Sequence, residues 1–217
     1  MKKLLTPLAV LSAVAAYATP ILPGPETPLQ TIINSSVSGI TIDVNANQVV
    51  SDAYWTAGTS PAAYMLIEIA GYAGQNTFGI YQQGSPANKQ EIFAGSVSGP
   101  SGPVSIVVPT TWSSFGFYMS NPNVGFTWYS DDTLNAGGAL DHFAFFQGTA
   151  GAMLSGKTFD ANDYIIAIED LNLGDKDYND MVVLVQNVNA VPEGGATLAL
   201  LGLAATALAF VRRKLTC

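Results

Sequence analysis

Five carboxylates and one lysine fall within the twelve residues EDLNLGDKDYND, from Glu169 to Asp180. Glu169, Asp170, Asn172, Asp175, Asp177, Asn179 and Asp180 supply hard oxygen donors, and Gly174 stands where the chain must turn. Calcium takes about six to eight oxygens from carboxylates, amides, backbone carbonyls and water, whereas magnesium suits a cage of protein oxygens less well. Donors two residues apart converge on an ion when the backbone loops around it, and a glycine lets the chain turn where a side chain would obstruct. The spacing is not that of an EF-hand, because Gly174 follows Asp170 and Asn172 too early and no Glu stands at the twelfth position. The competing reading is a solvated acidic turn, yet ordinary hairpin loops need only about two to five residues.

Charge repulsion points the same way. Seven carboxylates lie between Asp160 and Asp180, with Lys176 as their one basic neighbour in that span. Holding several of them inward and ionised without a cation is costly, so the empty loop is expected to be disordered or to trap protons. Ion binding would then be coupled to folding. Asp131, Asp132 and Asp141 form a second acidic segment that completes the shell if the 129–142 loop approaches the first. His142, the one histidine, reads as a structural group bonded to Asp141 or to a backbone carbonyl.

The elements that must position these donors read as strands. Ile40, Ile42 and Val44 alternate with Thr41 and Asp43, the period of a strand with one buried face. Further strands are expected at 64–70, 76–82, 91–95, 104–108, 114–119, 125–130, 142–146, 164–169 and 181–186, separated by Gly, Pro, Asn and Ser. A short helix or turn fits Leu29 to Asn34, and GSVSGPSGP at 95–103 reads as a flexible loop. Without the helical periods of a βαβ unit, the fold class is all-β, an antiparallel β-sandwich of jelly-roll type. Phe115, Phe117, Phe126, Trp128, Phe143, Phe145 and Phe146 fall inside these runs and read as core; Trp55, Trp112 and Trp128 are also candidates for stacking on sugars.

Both ends of the chain carry targeting signals. Residues 1–18 read as a secretory signal peptide for signal peptidase: Lys2 and Lys3 precede an apolar run, and Ala16 and Ala18 stand at the cleavage positions. A Pro-rich leader spans 19–28, the domain spans 29–189, and 190–217 forms a sorting tail. In the tail, the apolar stretch 196–211 would rise about 24 Å as a helix, a marginal transmembrane span against a hydrocarbon core of about 30 Å. Arg212, Arg213 and Lys214 would stay on the cytoplasmic side. Between the two signals fifteen acidic residues face only Lys89, Lys157 and Lys176, a formal charge of −12 that excludes a nucleic-acid partner. Cys217 is the sole cysteine, so no intrachain disulfide supports an exported domain.

Val191-Pro192-Glu193, the apolar stretch and the Arg212-Arg213-Lys214 cluster resemble the PEP-CTERM sorting signal of Gram-negative bacteria. Val191 replaces the usual first proline, and Gly194 follows the Pro192-Glu193 pair. The resemblance implies export across the inner membrane, transient anchoring by the helix and processing by an exosortase-type membrane protease. It also implies residence at the cell surface or in an extracellular matrix rich in exopolysaccharide. YIIAIEDLNLGDKDYNDMVVLV is similar to the terminal motif of the DUF4114 family, an E-D-L followed by a Gly-Asp-x-Asp-[Tyr/Phe]-Asn-Asp core and an apolar strand. The segment 129–148 is similar to that family's approach to the motif. This second resemblance implies a calcium-stabilised β domain in surface and secreted bacterial proteins, and it names no substrate.

Catalytic chemistry finds few candidates. His142 has no G-x-S-x-G elbow for a hydrolase triad, the supply of His and Cys is too small for a zinc hydrolase, and no phosphate loop occurs. The expected function is therefore a non-enzymatic, calcium-stabilised surface or matrix-associated module. Two alternatives are a carbohydrate-binding module for exopolysaccharide or another surface glycan, and a glycan-acting hydrolase using a carboxylate pair.

Overall fold

The structure, a computed structural model, describes residues 18–50, 52–69, 72–94, 100–136, 140–171 and 173–192. The signal peptide through residue 17, Asn172, Glu193, Gly194, the apolar stretch 196–211, Arg212, Arg213 and Lys214 lie outside the described residues. Among the described residues no helix is long and apolar enough to cross a membrane.

The first element among the described residues is helix α1 (Leu29–Ser36), where Leu29, Ile32 and Ile33 recur at helical spacing and are buried together. Twelve strands follow among the described residues: β1 (Val37–Ser38), β2 (Trp55–Glu68), β3 (Thr77–Gln82), β4 (Ser85–Phe93), β5 (Ser101–Ser105), β6 (Phe115–Asn121), β7 (Phe126–Tyr129), β8 (Phe143–Gln147), β9 (Met153–Leu154), β10 (Lys157–Thr158), β11 (Tyr164–Ile168) and β12 (Met181–Ala190). Nine of them form one antiparallel sheet in the order β4-β3-β6-β2-β12-β11-β8, with β5 on β2 and β7 on β6. The short strands β1, β9 and β10 form a second, three-stranded sheet. The all-β class holds, with a single α-helix among the described residues.

The large sheet curls so that its inner face closes on itself. Trp55 at the start of β2 lies 4.9 Å from Phe117 on β6 and 4.5 Å from Phe145 on β8, centroid to centroid. Phe78, Phe93, Phe115, Ile166 and Val183 join the same interior cluster. On the outer face, β8, β11 and β12 are covered a second time: Ala144, Phe146, Ile165, Ala167, Val182 and Leu184 pack with Leu29, Ile33, Leu154 and Phe159. Burial on both faces explains why YIIAI and MVVLV are unbroken apolar runs rather than alternating ones. Replacing Trp55, which is fully buried against three rings, with Ala is expected to cost about 3–5 kcal/mol. Urea unfolding of the full chain in detergent should show this loss, and a loss below about 1 kcal/mol would contradict the packing.

Four expectations from the sequence change in the structure, the smallest being β5, which spans Ser101–Ser105 where a strand at 104–108 after a loop at 95–103 is expected. The alternating run 40–44 buries Ile42 and Val44 but joins no sheet. Asp43 Oδ1 accepts from the N–H groups of Asn45 and Ala46, Asn47 Oδ1 accepts from Asp43 N–H, and local side-chain bonds of this kind compete with a ladder. The Gln30 carboxamide of α1 takes the place of a partner strand, donating to Ile42 O and accepting from Val44 N–H. Strand β2 starts nine residues before the expected 64, because β12 runs on to Ala190 and pairs Trp55, Thr56 and Ala57. Gly58 permits that pairing, since a Cβ there would stand 2.6 Å from Asn187 O. Similarly, β4 starts at Ser85 through a hairpin with β3 and not at 91, its first half being polar because that arm is largely exposed.

The segment 18–28 packs onto the domain. Ile21 is buried in the outer cluster, its N–H donates to Asn45 Oδ1, and Leu22 N–H donates to Lys176 O at 2.9 Å.

Candidate metal centre

The acidic loop is clamped at both ends by the pairing of Ile168 with Met181, where β11 enters and β12 leaves. Both strands are buried on two faces, so the ends of the loop are fixed by packing that owes nothing to an ion. Between them the chain winds tightly: Leu173, Lys176 and Tyr178 all adopt left-handed backbone conformations, at φ 54°, 54° and 52°. Such conformations are costly for side-chain-bearing residues and persist only where surroundings enforce them. One enforcing contact is Tyr178, which is fully buried and donates its hydroxyl to Asp141 O and its N–H to Glu169 Oε2.

This winding brings Glu169, Asp175 and Asp177 together, with one oxygen from each lying within 4.8 Å of the others. Glu169 and Asp177 are buried and Asp175 is exposed. Asp170, Asp180 and Gly174 line the same open pocket of about 360 Å³. Asp170 is held from three sides: Trp128 Nε1 donates to its carbonyl at 2.7 Å, Asn76 Nδ2 donates to its carboxylate, and its N–H donates to Asp180 Oδ2. Asn121 in turn donates to Asn76, so the loop is anchored to β6 as well as to its own hairpin.

Burial and mutual repulsion hold these carboxyls on the protonated side of their ordinary range. Glu169 is pushed up to about 7 by burial, then by Asp175 and Asp177. Asp180 is pushed up to about 8 by burial and by the charges of Asp170, Glu169 and Asp177. Asp170 and Asp177 are raised as well, burial again being the main cause and Asp175 adding to it.

Two further carboxylates act on the charges of this loop although its local pattern does not include them. Glu26, from the Pro-rich segment, is exposed but lines the pocket, and its carboxyl is raised by slight desolvation, then by Asp177, Asp175 and Asp170. Glu68, at the end of β2, is buried, pushed up to about 7 by burial with Asp170 contributing, and its Oε1 has no hydrogen-bond partner. A signal for Glu68 exists in the sequence, where it is the one charge in the apolar run YMLIEIA. Glu26 has none, because its neighbourhood is set by the docking of 19–27 and not by its own surroundings in the chain.

The second acidic segment contributes differently. Asp131 accepts from Tyr54 Oη and from Thr133, capping the 3-10 turn Asp132–Leu134. The Asp141 carboxylate accepts from Thr19 Oγ1 at 2.6 Å and from Phe143 N–H. None of Asp131, Asp132 and Asp141 lines the pocket, although Asp141 supports it through the carbonyl that receives Tyr178.

His142 is a buried structural group. A carbonyl can only accept, so its contact with Glu169 O at 2.9 Å fixes the proton on Nδ1, and burial pushes the ring down to about 4, keeping it neutral. Its ring stacks on Trp128 at 3.8 Å. Of the three tryptophans considered for sugars, Trp55 is therefore interior and Trp128 is committed to the loop, which leaves Trp112 half-buried against the core.

The donor set fits a hard cation. All the side-chain donors lining the pocket are carboxylates, with no nitrogen or sulfur among them. Asn179 adds an independent sign: it is fully buried, its Nδ2 donates to Thr27 O, and its Oδ1 has no donor among the described residues. A bound calcium would neutralise the converging charge and tie the two strand ends together through the loop. No family model matches the chain, and neither the curated proteins nor the solved structures include a significant match.

Proposed function

We propose that this chain is a non-enzymatic, calcium-stabilised exported module of the cell surface or matrix, a DUF4114-type domain delivered through a variant PEP-CTERM signal. One observation carries the metal part: ligand oxygens of Glu169, Asp175 and Asp177 converge within 4.8 Å on a loop held between two doubly buried strands. Three carboxylates so placed repel one another unless protons or a cation intervene, and a hard divalent ion satisfies them at neutral pH. In this reading the ion is structural. It turns a self-repelling loop into a rigid end of the sheet, as an exported domain without disulfides requires.

The curled sheet acts in the same reading as a jelly-roll-like sandwich, its two leaves meeting where Trp55 touches Phe117 and Phe145. Exosortase processing and surface residence rest on the resemblance of the tail, together with the domain's net charge, which suits a solvated surface and not nucleic acid.

Equilibrium dialysis of the full chain in detergent against calcium tests the metal reading. Saturable binding of calcium in preference to magnesium is expected, in the range of about 0.1–1 mM that extracellular modules show. Joint replacement of Asp175, Asp177 and Asp180 by alanine should abolish it. Equal binding by that variant, or none by the wild type, would refute the assignment.

A further inference from the structure

The segment 19–27 runs across the acidic loop and is stitched to it. Leu22 N–H donates to Lys176 O, Thr19 Oγ1 to Asp141, and Asn179 Nδ2 to Thr27 O at 2.9 Å. At Gly24 the backbone passes so close to the Asp177 side chain that a Cβ would lie 1.8 Å from Asp177 Oδ2. Only a glycine leaves the Asp177 carboxylate where it is. Two residues on, Glu26 presents its own carboxylate to the pocket lined by Glu169, Asp175 and Asp177.

That arrangement has no purpose in an ion-free molecule. Bringing a further negative group to a pocket already lined by five carboxylates costs energy, and nothing basic lines that pocket. The independent observation is Asn179. With its amide nitrogen tied to Thr27 on the same segment, its fully buried oxygen is left with no donor, in a stretch flanked by the pocket residues Asp177 and Asp180. Leaving a buried amide oxygen without a donor is costly, and a cation held beside Asp177 and Asp180 would satisfy it.

We propose that segment 19–27 is the closing wall of the ion site: Glu26 is a further calcium ligand beside the loop donors, the Asn179 amide oxygen among them, and calcium fastens this segment to the domain. The proposal rests on the calcium reading and adds to it a ligand from a distant part of the chain. Its consequence is mechanical. Ligands from 26 and from 169–180 draw the start of the exported chain onto the loop between its last two strands, so one ion pins the start of the domain to its end.

The test uses the full chain in detergent at about 150 mM salt, where surface charges beyond roughly 8 Å are screened. Calcium titration calorimetry of E26Q and of Gly24→Ala is compared with wild type and with E91Q, whose carboxylate is exposed on β4. Losing a charged ligand, or displacing Asp177, should weaken calcium affinity by about tenfold or more, whereas E91Q should bind as wild type does. Hydrogen exchange of the peptide 19–28 should slow in calcium relative to chelator in the wild type, and much less so in E26Q. If E26Q and Gly24→Ala bind calcium as tightly as wild type, or if E91Q weakens binding equally, the proposal fails while the calcium reading stands. Absence of any calcium binding by the wild type would overturn both.

Discussion

Calcium is expected to raise the melting temperature of the full chain in detergent, and to do so more at pH 8 than at pH 5. The sign follows from the carboxyls of the acidic loop and from Glu68 beside Asp170. Glu68 and Glu169 lie near 7 and Asp180 near 8 in the folded chain, raised mainly by burial, against ordinary values of 4.5 and 3.8. Between about pH 4 and pH 8 the folded state thus holds more protons than the unfolded one, and its stability without an ion falls as pH rises. Below that window the protons themselves relieve the repulsion. Above it only a cation can.

Calcium and protons compete for the same oxygens, so calcium affinity should climb through this window and binding should release protons. At free calcium ten times the dissociation constant the gain is about 1.4 kcal/mol, or roughly 3–6 °C for a domain of this size. Scanning calorimetry in millimolar calcium or chelator at the two pH values measures it. A shift that is absent, or larger at pH 5, would contradict the account of the pocket.

Glu169→Gln and Asp177→Asn should have opposite effects on the two states of the protein. In chelator at pH 8 each variant is expected to melt a few degrees above wild type, because an amide removes the buried charge that the empty pocket cannot neutralise. For Glu169 the amide oxygen still accepts from Tyr178 N–H, so the local geometry is kept. In calcium the order should reverse, since the ion-bound wild type gains several degrees and the variants gain little. Crossing melting temperatures distinguish a cation site from a solvated acidic turn. In such a turn both substitutions would stay within about 0.5 kcal/mol of wild type with and without calcium. Melting curves of six samples, wild type and each variant with and without calcium, decide the matter.

The strands that frame the loop were legible from their side chains alone. YIIAI and MVVLV are continuous apolar runs because both of their faces are covered, and no turn residue interrupts them. Elsewhere the same reasoning met competition. Ile40, Ile42 and Val44 have a strand's period and a strand's burial, yet Asp43, Asn45 and Asn47 bond the local backbone, and Gln30 supplies the remaining partner. Composition hid the first half of β2, where Gly58, Ser60 and Pro61 look like a loop until Asn187 approaches from β12.

For the site, the sequence by itself determined the chemistry: one contiguous stretch carries nearly all the oxygens, and their charge demands compensation wherever the chain goes. Tertiary structure alone decided the membership. Glu169, Asp175 and Asp177 meet because left-handed turns at Leu173, Lys176 and Tyr178 wind the loop. Glu68 is near because β2 pairs with β12, setting it opposite Met181. Glu26 is near because Leu22 binds Lys176 and Gly24 leaves room for Asp177. Donor type belongs to individual residues and can be read from the sequence, whereas the winding of the loop and the approach of Glu26 and Glu68 from segments more than a hundred residues away depend on tertiary contacts.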